Sequence, residues 1–477
     1  MGLQPATEFT ILQSRVRLGD PHVWSDDRNH LSIRWAIYEP LVHYDKEGRY
    51  RPGLAGNWTL DDDAQTWTLK LRDSVTFHNG DIVAAQDVVA SLERARDPEM
   101  AGELGTSGLY QTYLGGSKIE GLDERTVRIV LREPMADLLD LLTEIPIAAR
   151  SNLDRLPDVH IGSGPCRLVE VSSDNVLMEA FSGYWAGRPP MDTVYWCGEP
   201  DEDRRIAALL AGRADLVTEV SPHSRRKIEP HEPVEVVEAG SCVCVIFMCN
   251  ARSGVCSDKR VRQALNYALN VPEIIDTVKG GAGRPLNGPL TPVHLGYNPA
   301  VSPYPYDPGR AKGLLAEAGY VKGLRLTLDI PTSIPDEAPH LARIMSQQFA
   351  RVGIAADINT VSNRQEYAEM VRNKKIHDGC CFDSSPLSTF RVLREKFHSG
   401  LAGPWWQGYS NSEVDELLDR AQSTPDRQGR QELYRRAYRI IHDDAPWLFL
   451  YSPTLLWATG PRAHGWKPGI DGVVRLS

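Results

Sequence analysis

The sequence predicts an α/β protein of more than one domain. Three observations carry this: a strand–helix–strand unit with apolar residues in matching periods, three helices with both cap and apolar stripe, and a length of 477 residues. At roughly 100–200 residues per domain, that length suggests two to four domains. Leu324, Leu326, Leu328 and Ile330 alternate at period two, as in a strand. Leu341, Ile344, Met345 and Val352 then lie on one helical face, and residues 354–358 read as a second short strand. Strand, helix and strand at this spacing form a βαβ unit, which implies parallel pairing.

The three helices follow the same logic. Ser257 is placed to cap a helix whose Val261, Ala264, Leu265, Ala268 and Leu269 share one face. Asp307 and Pro308 fit the cap and first position of a second, with Ala311, Leu314, Leu315 and Ala318 as its stripe and Gly319 at its end. Ser412 or Asn411 caps a third, with Val414, Leu417, Leu418 and Ala421 facing inward. The stretch 280–308 between the first two is rich in Pro and Gly yet holds Leu286, Leu290, Leu295 and several Tyr, so an ordered, irregular excursion is expected. Nearer the start, Trp67, Leu69 and Leu71 alternate, and Val75 and Phe77 precede the turn pair Asn79-Gly80. That reads as a hairpin region, with a further strand at 126–131.

Composition narrows the function. With 53 basic and 63 acidic residues the formal net charge is −10, which disfavours nucleic acid as a partner, because phosphate binding needs clustered Lys and Arg. No apolar run approaches the ~18–20 residues that span a bilayer. Met1-Gly2-Leu3-Gln4-Pro5 lacks a basic segment followed by an apolar one, so a leader is either removed or never made. The eight cysteines form no C-x-x-C pair, and scattered cysteines are usually small buried hydrophobes.

Catalytic and cofactor motifs are not found. There is no G-x-S-x-G, H-E-x-x-H, G-x-x-x-x-G-K-[ST] or helix-opening G-x-G-x-x-G. Gly280-Gly281-Ala282-Gly283 is followed by Arg284-Pro285 rather than Lys-Ser/Thr, so it makes a poor phosphate cradle. The His residues are dispersed, and Asp61-Asp62-Asp63 reads as a solvated turn. No catalytic residue, cofactor or metal is expected.

Several segments, in order, resemble family 5 of the solute-binding proteins of ABC importers, the group of dipeptide, oligopeptide and nickel-chelate receptors. They are Tyr38-Glu39-Pro40-Leu41-Val42, Arg51-Pro52-Gly53-Leu54-Ala55, Trp67-Thr68-Leu69-Lys70-Leu71-Arg72 and Val75-Thr76-Phe77-His78-Asn79-Gly80. Gly162-Ser163-Gly164-Pro165, the stretch from Asp258 through Arg260-Val261-Arg262-Gln263-Ala264-Leu265 to Ala268, and Asp443-Asp444-Ala445-Pro446-Trp447 continue the series. The resemblance implies an α/β type II periplasmic-binding fold, cluster C-like, with two hinged lobes and an inserted extra α+β domain. By analogy the first lobe comprises 1–47, 162–244 and 452–477, the extra domain 48–161, and the second lobe 245–451, with crossings near 244–250 and 448–452. It further implies a monomeric periplasmic receptor, not an enzyme. Such a receptor would enclose a short peptide, an amino-acid or sugar conjugate such as an opine, or a metal chelate, and deliver it to the membrane permease subunits. A cytosolic sensor on the same fold is the alternative, and a hydrolase a weaker one.

The resemblance also implies site residues. Asp383 aligns with the aspartate that binds the ligand's amino group in peptide receptors, and Ser384 and Ser385 follow where those receptors usually have Asn and Gly. A cap role is the plainer alternative for Asp383. Trp24, Ser25, Asp26 and Asp27 align with an edge strand that pairs with peptide backbone, and Trp24 also suits a core position. Tyr110, with Tyr113 one turn away, aligns with a cleft-facing aromatic position, and Trp406 is a candidate wall or packing residue. A bridge between Cys242 or Cys244 and Cys380 or Cys381 is implied by analogy with an oligopeptide receptor.

Overall fold

The computed structural model describes residues 7–100, 108–333 and 335–476. The Met1–Pro5 stretch read for a leader lies outside them. The chain divides into two units, Met1–Ala239 with Leu455–Ser477, and Gly240–Thr454. It passes from one to the other after residue 239 and again after 454, a few residues from the crossings expected near 244–250 and 448–452.

In the first unit, strand Glu8–Gln13 lies parallel to Thr193–Gly198 on one side and to Leu216–Val217 on the other. Asn175–Ala180 and Cys166–Val171 extend the sheet antiparallel beyond Thr193–Gly198. The far end of strand Trp447–Thr459 closes the other edge, with Thr459 opposite Leu216. Ile11, Trp196, Met178 and Leu216 pack there with Ile33 and Ile37 from helix Arg28–Ile37. A separate antiparallel sheet, ordered Ala55–Leu60, Thr66–Leu71, Thr126–Val130, Lys118–Gly121, lies within residues 48–161. The expected hairpin at Asn79-Gly80 is reduced to one bridge, Thr76 to Ile82. Trp67, Leu69 and Leu71 are buried, and their strand takes both neighbours from elsewhere in the sheet.

The family motifs of this unit are polar joints. Glu39 is buried and accepts from Tyr184 Oη at 2.8 Å while pairing with His43 Nε2 at 2.7 Å. Gly164 N donates to Ile37 O at 2.9 Å, and a Cβ at Gly162 would stand 2.1 Å from that same oxygen. Only glycine lets these two backbones approach so closely. His78 then ties in from the extra sheet's segment, its backbone N donating to Gly162 O and its Nε2 bonding Gly164 O.

In the second unit, strand Cys244–Cys249 is buried along its whole length. It runs antiparallel to the first half of Trp447–Thr459 and to Gly379–Ser384. Leu324–Pro331 pairs parallel with Gly379–Ser384, and Ile354–Val361 parallel with Leu324–Pro331. Helix Ala338–Ala350 makes the crossover, so the βαβ unit expected from periodicity is present. Helices cover both faces, as in sheets whose strands are continuously apolar. Val245, Phe247 and Cys381 enter one core, and Cys244, Ile246, Met248, Cys380 and Phe382 the other.

Two of the three caps fall on an expected residue. Asp307 accepts from Arg310 N at 2.8 Å, and Asn411 takes the third helix, accepting from Glu413 N at 3.0 Å. The first is displaced by one residue. Asp258, not Ser257, caps Lys259–Tyr267, because Ser257 closes a short 3-10 turn, its Oγ donating to Gly254 O. The expected bridge is also corrected: all eight cysteines are free. The register sets Cys381 opposite Phe247 and Cys380 opposite Met248, while Cys244 faces Ser384.

These assignments set a scale for stability. Leu328→Ala, in the middle of a buried strand, should cost about 2–5 kcal/mol from lost burial and the cavity left. Asp307→Ala should cost about 1 kcal/mol. Urea unfolding that ranked the two in reverse would contradict the placement of the core.

Candidate functional site

In the first unit, two of the expected residues, Trp24 and Tyr110, meet at Glu144. Trp24, half-buried ahead of helix Arg28–Ile37, donates its indole N–H to Glu144 Oε2 at 3.2 Å. Tyr110, buried on helix Leu109–Leu114, donates its hydroxyl to Glu144 O at 3.3 Å. Arg34 Nη2 reaches the same carbonyl at 3.4 Å, and its guanidinium lies 4.5 Å from the centre of the Trp35 ring. Burial pushes the Arg34 pKa down, against the pull of Tyr110 and Glu144. Ser25 is buried, its Oγ accepting from Asp27 N, and Asp26 is exposed. Asp27 caps helix Arg28–Ile37 by accepting from Asn29 N at 3.0 Å and pairs with Arg15 at 2.9 Å. Tyr113 is half-buried on the Tyr110 helix.

Beside this group stands a second cluster that sequence reading missed. Arg94 donates to Asp20 Oδ1 at 2.7 Å and bonds His22 Nδ1 at 3.0 Å, while His22 Nε2 bonds Pro146 O at 3.0 Å. The neutral imidazole with its proton on Nε2 satisfies all three. Burial, aided by Arg94, pushes His22 down to about 4. Burial alone would raise the Asp20 carboxyl, but the Arg94 hydrogen bonds, the His22 backbone N–H and the Arg94 charge together outweigh it and hold it low.

In the second unit, the expected residues sit at the carboxyl end of strand Gly379–Ser384. Asp383 lies opposite Val245 and is half-buried; Ser384 lies opposite Cys244 and is fully buried. Ser385 accepts from Cys242 Sγ at 3.2 Å through its carbonyl, and Pro386 O bonds His294 Nε2 at 2.9 Å. Burial drives His294 down to about 4. Trp406 donates its indole N–H to Tyr409 O at 2.6 Å, holding its own loop, while Trp405 packs on Phe382 with ring centres 4.9 Å apart.

The following helix, Thr389–Phe397, supplies what the sequence did not announce. It is buried nearly all round, including Arg391, Glu395 and Lys396. Arg391 and Glu395 pair at 3.3 Å, both more than nine-tenths buried. Lys396 is 2% exposed, and its Nζ has no hydrogen-bond partner among the described residues. Burial pushes its pKa down to about 8, against the pull of Glu395, Cys244 and Asp383. Nothing in a segment with charges at positions 391, 394, 395 and 396 marks one lysine as buried.

Residues 49–379 match the model of bacterial extracellular solute-binding proteins, family 5 middle. The chain belongs to that family. It is a solute-binding receptor of an ABC import system, in the mixed α/β fold of its relatives. Among these, the glutathione-binding protein GsiB of Pectobacterium atrosepticum is 30% identical over 463 residues, covering 94% of this chain and 88% of its own. HbpA2 of Haemophilus parasuis has the same fold, with a TM-score of 0.86, 22% identity and 98% of each chain covered. So does the oligopeptide-binding protein AppA of Bacillus subtilis in complex with a nonapeptide, at a TM-score of 0.77, 24% identity, and 98% and 97% covered.

Four buried histidines of this receptor bear on its acid tolerance. His22, His30, His78 and His294 are each pushed down to about 4 by burial, from an unfolded value near 6.5. Between those values the unfolded chain binds more protons than the folded one, so stability falls as pH drops from about 6.5 toward 4. Each histidine contributes up to about 1.4 kcal/mol per pH unit. Urea midpoints should decline across that window, and His22→Gln should flatten the decline by one histidine's share. A midpoint constant from pH 6.5 to 4.5 would mean that these rings protonate without opening the fold.

Proposed function

We propose that the receptor captures a small periplasmic solute carrying an amine, a short peptide or an amino-acid conjugate such as glutathione or an opine, and hands it to its permease. The observation that carries this reading is Asp383: a half-buried carboxylate at the carboxyl end of a strand, where ligands of α/β sheets gather. A carboxylate partly withdrawn from water attracts an ammonium more strongly than one in bulk solvent. In the first unit the candidate ligand-contacting residues are Trp24, Ser25, Asp26, Asp27, Tyr110 and Tyr113, of which Trp24 and Tyr110 bond Glu144. The name of the GsiB relative favours a peptide-like solute.

The mechanism contains no covalent step. The chain passes between its units twice, the covalent arrangement a hinge needs, and solute would shift a population from open to closed. On this reading the units subdivide as a first lobe of 1–47, 162–244 and 452–477, an inserted domain of 48–161 and a second lobe of 245–451. A monomer is sufficient for the task.

A thermal-shift screen with glutathione, tri- and tetrapeptides, an opine and a nickel chelate tests the reading. A true ligand at about 100 times its Kd should add about 2.7 kcal/mol of stability. Asp383→Asn should weaken an amine-bearing hit by about 10- to 100-fold, the range of a charge-assisted hydrogen bond. Unchanged affinity would remove Asp383 as the amine anchor, and stabilisation by the chelate alone would remove the peptide-like class.

A further inference from the structure

Strand Cys244–Cys249 and the short 3-10 turn Val255–Ser257 each bring a cysteine into the same core. Val245, Phe247 and Cys249 alternate onto one face of the strand, and Cys256 belongs to the core they enter. Both cysteines are buried. Six residues separate them, and the chain between turns at Gly254, whose φ of +71° is one that residues with a side chain avoid. Both ends of this excursion are fixed to one segment. Cys249 N donates to Pro446 O at 3.0 Å, while Arg262 Nη1 donates to Cys256 O at 2.9 Å and its Nη2 to Asp444 O at 2.8 Å. One guanidinium and two residues of chain therefore span the gap between the two cysteine backbones. Across that gap the two thiols hydrogen-bond each other. The other cysteines are placed elsewhere. Cys166 and Cys197 belong to the first unit, Cys242 and Cys244 donate to Ser385 O and Pro289 O, and Cys380 enters the opposite core. Cys381 shares the core but lies opposite Phe247, two residues back along the strand.

We propose that Cys249 and Cys256 are a disulfide-forming pair, linking the end of a central strand to the entry of helix Lys259–Tyr267. The family works outside the cytoplasm, where thiols are oxidised and stay so. The oxidant is a disulfide, either a small molecule or one carried by a protein. One cysteine thiolate attacks it, forming a mixed disulfide and releasing one thiol; the second thiolate attacks the mixed disulfide and releases the other. The pair loses two electrons and two protons, and the oxidant takes up both as two thiols. In the folded chain this route is closed. The bond to Cys249 and burial hold the Cys256 thiol well above its ordinary pKa, so little thiolate forms. The bridge is therefore made while the core is still open and is then sealed inside it. It is a structural link, indifferent to the solute.

Refolding the full chain from denaturant with a cystamine–cysteamine couple tests it. After acid quenching, denaturation and alkylation, mass spectrometry should count six modified cysteines, the eight of the chain less the bridged two. Trypsin cleaves after Arg252, so Cys249 and Cys256 should appear on separate peptides joined by the bond. Cys256→Ala and Cys249→Ala should each show all seven remaining cysteines alkylated. The bridged chain should melt at a higher temperature than the same chain refolded under reductant, because the link removes freedom from the unfolded state. Eight modified cysteines, a bond joining any other pair, or two cysteines still protected in Cys256→Ala would overturn the assignment. Equal melting temperatures with and without the bond would overturn its structural role.

Discussion

A sheet buried on both faces leaves its polar groups few places to stand. In the second unit every residue of Cys244–Cys249 is buried, and alternate side chains feed cores above and below. Along such a strand a charge would be stranded without water or partner, at a cost of several kcal/mol. Charges within these strands therefore need partners of their own, as Asp329 has in His377 and Asn359, and the strand ends are where side chains can meet a solute. Asp383, Ser384 and Ser385 stand at one such end, directly after Cys380, Cys381 and Phe382. The position of the candidate site follows from the packing of the cores.

The same pressure accounts for the polar side chains around the second unit's family motifs. Arg262 donates to Asp444 O and Cys256 O, Asn266 bonds Trp447 O and Phe449 N, and Asp444 accepts from Tyr409 and Asn411. Each is a side chain satisfying backbone or polar groups that burial would otherwise leave unpaired, where a missing partner costs about 1–3 kcal/mol. Such joints specify a fold precisely because no apolar residue replaces them. They therefore carry family membership and say little about the solute.

This sets what was legible in the sequence. Periodicity found the βαβ unit because strand and helix bury opposite rhythms, and Asp307 and Asn411 were visible as caps because their side chains act locally. The Asn79-Gly80 hairpin misled because turn chemistry fixes a reversal, not the partner of the strand before it; Thr66–Leu71 pairs with the strand just before it, Ala55–Leu60, and with the distant Thr126–Val130. Glu144, Arg94 and Lys396 were invisible for a different reason. Their surroundings come from segments far apart in sequence, as Glu144 meets Trp24 across 120 residues. Exposure of a charged side chain is a tertiary property, and a lysine between Glu395 and Phe397 looks like any other on a solvated face.

The buried charges of helix Thr389–Phe397 stand in two different conditions. Arg391 and Glu395 pair within the helix, so the desolvation of each is offset in part by the other's charge. Lys396, one residue on, has no hydrogen-bond partner for its Nζ among the described residues, and burial pushes its pKa down to about 8. A paired charge is readily kept in a core, whereas an ammonium without a hydrogen-bond partner is kept there only against a desolvation cost that the surrounding packing has to outweigh.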